Sequence, residues 1–189
     1  DYQKLILDQL PDSMKHADAE VFMPPFYRDS PEMRKQVARV NNSISKTDLE
    51  FKELLDRLEK EGLRQNTIIF LFGDHGEGMP RAKTNGIGLG HRVPFVIWFS
   101  EQYKHLSPWG TSGAVTDEMI DFTDLPPTVR ALAGIKIPEY MHGRALIGKP
   151  RKPAPKYLFL SSDRSDESYD LTRTVIKGTY AYSRAYQPY

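Results

Sequence analysis

Four ionisable side chains fall within one short span of the chain, "GDHGEGMPRAKTNGIGLGHR": Asp74, His75, Lys83 and Arg92. Asp74 and His75 are adjacent, so on a turn both can point toward one centre. A carboxylate oxygen beside an imidazole nitrogen is part of a metal site. Two donors are too few to hold a metal, so further ligands must come from elsewhere. The same dipeptide also suits a plainer role, with Asp74 capping a short helix opened by Gly76 and His75 as its bonded neighbour. Lys83 and Arg92 bracket a stretch with Gly86, Gly88 and Gly90, which permits close backbone approach. Two cations beside such a loop suit a tetrahedral oxyanion such as sulfate or phosphate. A solvated glycine-rich loop with surface charges fits the same residues. The glycine spacing is not a dinucleotide fingerprint, because the loop precedes a strand instead of opening a helix. His91, His105 and His142 stand alone and read as structural or exposed; Trp98 and Trp109 read as core and loop anchors.

The elements around this span must position it. "NTIIFLF" (66–72) and "RVPFVIWF" (92–99) are continuous apolar runs and predict neighbouring strands buried on both faces. Asp74 and His75 follow directly on the first of these strands. In open α/β sheets that is where ligands gather. Upstream, Ser30 suits an N-cap, Pro31 the first helical position and Glu32 the first turn. Apolar residues then recur three or four apart from Met33 through Leu58, which predicts a long amphipathic helix ending near Glu61-Gly62. Residues 1–10 read as a short helix or as the tail of an element that begins upstream. "DLPPTVRALAG" predicts a second helix, with Asp124 near its cap and Gly134 at its stop. Ile135 to Pro138 reads as extended and "GKPRKPAPK" as a linker-like loop. "YLFL" predicts a strand, and "TRTVI" with "TYAYSR" predicts a hairpin about Lys177-Gly178. The order is α/β.

Composition sets the outer limits. The 189 residues contain 26 Lys and Arg against 25 Asp and Glu, so the formal net charge of +1 favours neither nucleic acid nor an anionic membrane surface. No apolar run approaches the length of a bilayer-spanning helix. Cysteine is absent, which removes disulfides, thiolate metal sites and a Cys nucleophile from this chain. The chain starts at Asp1 and stops at "YSRAYQPY", which we read as a piece of a longer polypeptide.

Taken together, "NTIIFLFGDHGEGMPRAKTNGIGLGHRVPFVIWF" resembles the second half of the catalytic domain of the sulfatases, within the alkaline phosphatase superfamily. In that family a strand ends in Asp followed by Asn or His and Gly, and both side chains ligate a divalent cation, usually calcium. The resemblance implies that role for Asp74 and His75. It gives Lys83 the place of the sulfate-binding catalytic lysine, with Arg92 and Pro94 in the order expected before the next strand. "DFTDLPPTVRALAGIKIPEYMHGRAL" resembles the later helix and a closure formed here by Pro138, Gly143 and Leu146. "SSDRSDESYD" resembles the heparan N-sulfatase-like and bacterial glycan sulfatases, where an Asp-Arg-x-Asp-Glu run precedes a hairpin. Asp163, Arg164, Asp166 and Glu167 stand in it, so Arg164 and Asp166 are expected to contact a sugar. Many relatives carry an aromatic and an acidic residue where this chain has Ile87 and Gly88, which bears on the substrate pocket.

The resemblance implies a portion of an alkaline phosphatase-like α/β sandwich with a central mixed, mainly parallel sheet and the start of a small C-terminal antiparallel sheet. Residues 1–150 would be the C-terminal half of the catalytic domain and 151–189 the incomplete subdomain. The implied reaction is hydrolysis of sulfate esters or N-sulfates of a sulfated carbohydrate, in a periplasmic, extracellular or lysosomal setting. No "C/S-x-P-x-R" occurs here, so the formylglycine nucleophile and the first metal-binding aspartates are expected in an absent N-terminal half of the same domain. Two alternatives stand beside this: a phosphomonoesterase or phosphodiesterase of the same superfamily, and a catalytically inactive piece.

Overall fold

The computed structural model describes residues 2–80, 82–83, 88–110, 112–165 and 168–187, and the chain divides into two compact units, Asp1–Gln65 and Asn66–Tyr189. Asp166, expected at a sugar-binding rim, lies outside the described residues, as do Glu167, Gly86 and Ile87. No helix among the described residues is long and apolar enough to cross a membrane.

The first unit holds α1 (Tyr2–Leu7) and α2 (Pro31–Lys60). The start of α2 is the one its residues predict: Ser30 Oγ accepts from Met33 N at 3.3 Å, and Pro31 opens the first turn. Ile6, Leu10, Val21, Val37 and Ala38 form the unit's core. The rest of the apolar stripe is less covered, with Ile44 and Leu54 exposed. Asn42, only 2% exposed, ties the preceding loop to the helix. Its Oδ1 accepts from His16 N at 2.8 Å and its Nδ2 donates to His16 O at 3.1 Å.

The second unit contains β1 (Ile68–Phe72), β2 (Phe95–Phe99), α3 (Leu125–Leu132), β3 (Leu158–Ser165), β4 (Ser168–Lys177) and β5 (Tyr180–Ala185). β1 and β2 are neighbours in register Ile68↔Phe99 to Phe72↔Phe95, but they run antiparallel, and so do the pairs β3–β4 and β4–β5. The expected parallel strands are not among these pairings. A parallel pair needs a crossover, usually a helix; the chain between β1 and β2 turns back on itself instead. Nor are these strands buried on both faces: Leu71, Phe72 and Val96 are exposed in this two-stranded sheet.

The stretch around α3 is the firmest part of the unit. Thr128 Oγ1 donates to Asp124 O at 2.6 Å and accepts from Leu146 N at 2.8 Å. Asp124 stands at the helix start, as expected, but its side chain does not cap α3. Asp124 Oδ1 accepts from Arg144 N at 2.8 Å instead. A Cβ on Gly143 would sit 1.9 Å from Thr123 O, so only glycine lets the two segments meet there. Leu146 and Ile147 are fully buried. Gly134, at φ 68°, ends α3 in the left-handed region.

Candidate functional site

Backbone bonds build the loop after β1. Gly73 N donates to Pro94 O at 3.2 Å, which carries the β1–β2 ladder one step further. Asp74 and His75 come next and are therefore held at the mouth of the sheet. Gly76 N donates to Gly90 O at 2.9 Å, while Arg92 N donates to Gly88 O at 2.8 Å and closes the turn on the other side. A Cβ on Gly76 would lie 2.1 Å from Leu89 O. The "GDHG" segment thus presses against "GLG" at a distance no other residue tolerates. Lys83 N donates to Glu77 O at 2.9 Å, behind a turn anchored by buried Met79 and Ala82.

Asp74 and His75 are brought into contact, with Nε2 of His75 3.4 Å from Oδ2 of Asp74. The Asp74 side chain is 82% exposed and that of His75 44%, so a solute reaches both. His75 Nδ1 lies 2.8 Å from Gly76 O. A carbonyl only accepts, so Nδ1 carries the proton and Nε2 of neutral His75 presents a lone pair. That lone pair and the Asp74 oxygen repel unless a proton or a cation lies between them. Two donors at right angles about a cation with bonds of about 2.4 Å would be separated by about 3.4 Å. The pair therefore fits part of a divalent cation's shell. No cluster of three or more His, Cys, Asp or Glu side chains suited to a metal occurs among the described residues.

Lys83 and Arg92 are exposed on the same loop, tied to it through their backbones. Arg164 lies on β3 in the other sheet, just past a register shift between Ser162 and Arg164, with its guanidinium 5.2 Å from the centre of the Tyr169 ring. His91, His105 and His142 are exposed.

The sequence reading missed a second constellation. Glu118 accepts from Trp109 Nε1 at 2.5 Å, Arg144 Nη1 at 2.7 Å and Arg151 Nη2 at 2.8 Å. Arg144 Nη2 also donates to Met119 O at 3.0 Å, and Arg151 stacks 5.8 Å from the Trp109 ring centre. Burial pushes the Glu118 carboxyl up; the hydrogen bonds from Trp109 and Arg144 and the charges of Arg151 and Arg144 outweigh it and hold the group below the usual carboxylate range. Its partners are 26 and 33 residues away, beyond any helical or strand period. Arg151 sits in the stretch read as a linker. Trp109 is the loop anchor expected of it. With its acceptors filled, this cluster is a clasp rather than a reaction centre.

Comparison with known proteins identifies the family. The family model described as Sulfatase matches residues 9–135. An ulvan-active sulfatase of Formosa agariphila is 30% identical over 171 residues, covering 90% of this chain and 28% of that protein. The N-sulphoglucosamine sulphohydrolase of Homo sapiens is 25% identical over 121 residues, covering 64% of this chain and 23% of that protein. A protein solved in complex with its substrate D-glucosamine-2-N,6-O-disulfate superposes with a TM-score of 0.66 at 19% identity, covering 84% of this chain and 34% of that one. The chain spans about a quarter of the length of the curated relatives it matches.

Proposed function

Because this chain belongs to the sulfatase family, we propose that it supplies one half of the metal and sulfate site of an enzyme that hydrolyses sulfated glycans. The single observation that carries the reading is the Asp74–His75 pair, two donors 3.4 Å apart just past β1 on exposed side chains. The relatives named for ulvan and for N-sulphoglucosamine support a sulfated carbohydrate as the substrate.

In this reading Asp74 Oδ2 and His75 Nε2 hold a divalent cation, for which calcium is our choice. A bound divalent cation withdraws charge from the oxygens of a sulfuryl group and orients it. Lys83 places a fixed positive charge beside those oxygens, and Arg92 neutralises the same anion from the far side of the glycine-rich turn. The Gly76–Gly90 bond keeps these groups together while the sugar binds. Arg164 and Asp166 form the sugar-contacting rim. The nucleophile, a formylglycine, and the remaining oxygen ligands come from a preceding half of the same domain. The exposed apolar side chains of Leu71, Phe72 and Val96 support a further layer on this sheet. Residues 1–150 then belong to the catalytic domain and 151–189 to its C-terminal subdomain.

Calorimetric titration of the 189-residue chain with calcium tests the metal site without requiring turnover. Weak binding that disappears in Asp74→Ala is expected. The same chain should hydrolyse neither an aryl sulfate nor an aryl phosphate, since a covalent nucleophile and fixed charge act as a unit. Calcium binding unchanged by Asp74→Ala would refute the metal assignment. Metal-dependent turnover by this chain alone, lost in Asp74→Ala, would refute the division of the site.

A further inference from the structure

The β3–β4 ladder breaks step at one place. The strands pair regularly from Leu158↔Ile176 to Ser162↔Thr172 and resume at Arg164↔Tyr169. Between those last two pairs β3 advances two residues and β4 three, so β4 carries one residue too many, a bulge. Had the first register continued, Asp170 would stand opposite Arg164. The extra residue sets Tyr169 there instead.

The bulge is held against resistance. Leu171 has φ 44°, and among the described residues only glycines share its positive sign. The left-handed region crowds the Cβ of a leucine against a carbonyl oxygen. Such outliers persist only where their surroundings fix them. Here the next residue, Thr172, is buried, and Leu171 O accepts from Tyr186 N at 3.3 Å, just past β5. Bulges re-aim side chains and collect beside active sites.

Arg164 is the residue whose partner this bulge changes. Its guanidinium lies 5.2 Å from the centre of the Tyr169 ring. Stacking engages the flat face of a guanidinium, while its N–H donors lie in the edge. A carboxylate set directly opposite would draw on that edge instead. The carboxylate next in sequence, Asp163, is paired with Arg173.

We propose that Tyr169 is a positioning residue for the glycan reaction and that the bulge at Leu171 serves to put it there. The ring holds the Arg164 guanidinium by its face, so that its edge meets an anionic group of the sugar other than the sulfate to be cleaved. A guanidinium already oriented loses less freedom on binding than a mobile one. Tyr169 then acts through Arg164 and contacts no sugar itself. The proposal rests on the place of Arg164 at the sugar-contacting rim, and the test separates the two.

The test uses a polypeptide that carries this chain together with its nucleophile. Its readout is the ratio of kcat/KM for a disaccharide with two sulfates to that for an aryl sulfate. In Tyr169→Ala this ratio should fall about fivefold, the scale of one cation–π contact, through KM rather than kcat. Tyr169→Phe keeps the ring and should restore the ratio. In an Arg164→Ala background Tyr169→Ala should lower it no further. In the unaltered 189-residue chain, Arg164 side-chain protons should show nuclear Overhauser contacts to the Tyr169 ring, a readout that needs no variant to fold. Absence of those contacts, a loss carried by kcat, or a further loss in the Arg164→Ala background would overturn the proposal. A ratio lowered by Arg164→Ala but untouched by Tyr169→Ala would overturn the positioning role alone. A ratio untouched by Arg164→Ala would overturn the rim reading and the proposal with it.

Discussion

Arg144 Nη1 donates to Glu118 Oε1 at 2.7 Å, with side-chain exposures of only 6% and 14%. Glu118 also takes Trp109 and Arg151, so one carboxylate fastens three loops. Glu118→Ala leaves a buried guanidinium without its main counter-charge. We expect it to cost about 3 kcal/mol or more, the scale on which one-sided removal of a buried ion pair acts. Urea unfolding of the second unit measures this; a loss below about 1 kcal/mol, the range of a surface pair, would contradict it.

The same carboxylate sets a pH dependence. Its folded-state pKa is depressed below the ordinary value of 4.5 that it has when unfolded. Its contribution is therefore complete above the unfolded value and is lost as pH falls through the folded one. Stability should decline on acidification below about pH 4.5, and Glu118→Gln should flatten that decline while lowering stability at neutral pH. Denaturation curves for both proteins across that range decide the matter. Parallel acid limbs would show that Glu118 titrates alike in both states.

Two glycines are held by space, not by dihedral freedom. Gly143→Ala should destabilise by about 1–3 kcal/mol through overpacking, because its Cβ would meet Thr123 O at 1.9 Å. Gly76→Ala meets Leu89 O at 2.1 Å and should cost a similar amount, together with the calcium binding we propose for the adjacent Asp74 and His75. Gly78→Ala is the control, since nothing lies within 4 Å of the Cβ it would add. Thermal unfolding of the three variants, with calcium titration of Gly76→Ala, tests the set.

The proposed place of Arg164 on a sugar-contacting rim can be tested apart from the sulfate site. In a polypeptide that carries this chain together with its nucleophile, Arg164→Ala should slow turnover of a sulfated oligosaccharide about tenfold or more, the scale of one lost charged hydrogen bond, and leave a small aryl sulfate nearly unchanged. Equal losses on both substrates would remove Arg164 from the rim.

How far the sequence could be read follows from range. The limits of α2 were legible because Ser30, Pro31 and the apolar period are local. So was the β4–β5 hairpin, whose turn holds Gly178 at φ 55°. Asp74 and His75 stood out because a strand ends immediately before them. The antiparallel β1–β2 pairing was not legible, because an apolar run does not encode the direction of its neighbour. Glu118 was invisible for a different reason: a lone Glu, an Arg in a proline-rich stretch and a Trp in a loop have no period, and only the fold joins them. Gly143 could be picked out by resemblance, but its cause, the carbonyl of Thr123, lies twenty residues upstream.

The bond from Gly76 to Gly90 turns the stretch between them into a closed loop whose ends stay fixed whatever it contains. The entropy of closing such a loop rises only with the logarithm of its length, so doubling it costs about 0.6 kcal/mol. Changes of length or residue after Lys83 and before Gly88 can therefore accumulate at little cost to Asp74, His75 or β2, whereas buried Met79 and Ala82 stay fixed. The proposed metal ligands and the positions between Lys83 and Gly88 are then separate inheritances. A lineage can exchange the second repeatedly while the first stays where β1 left it.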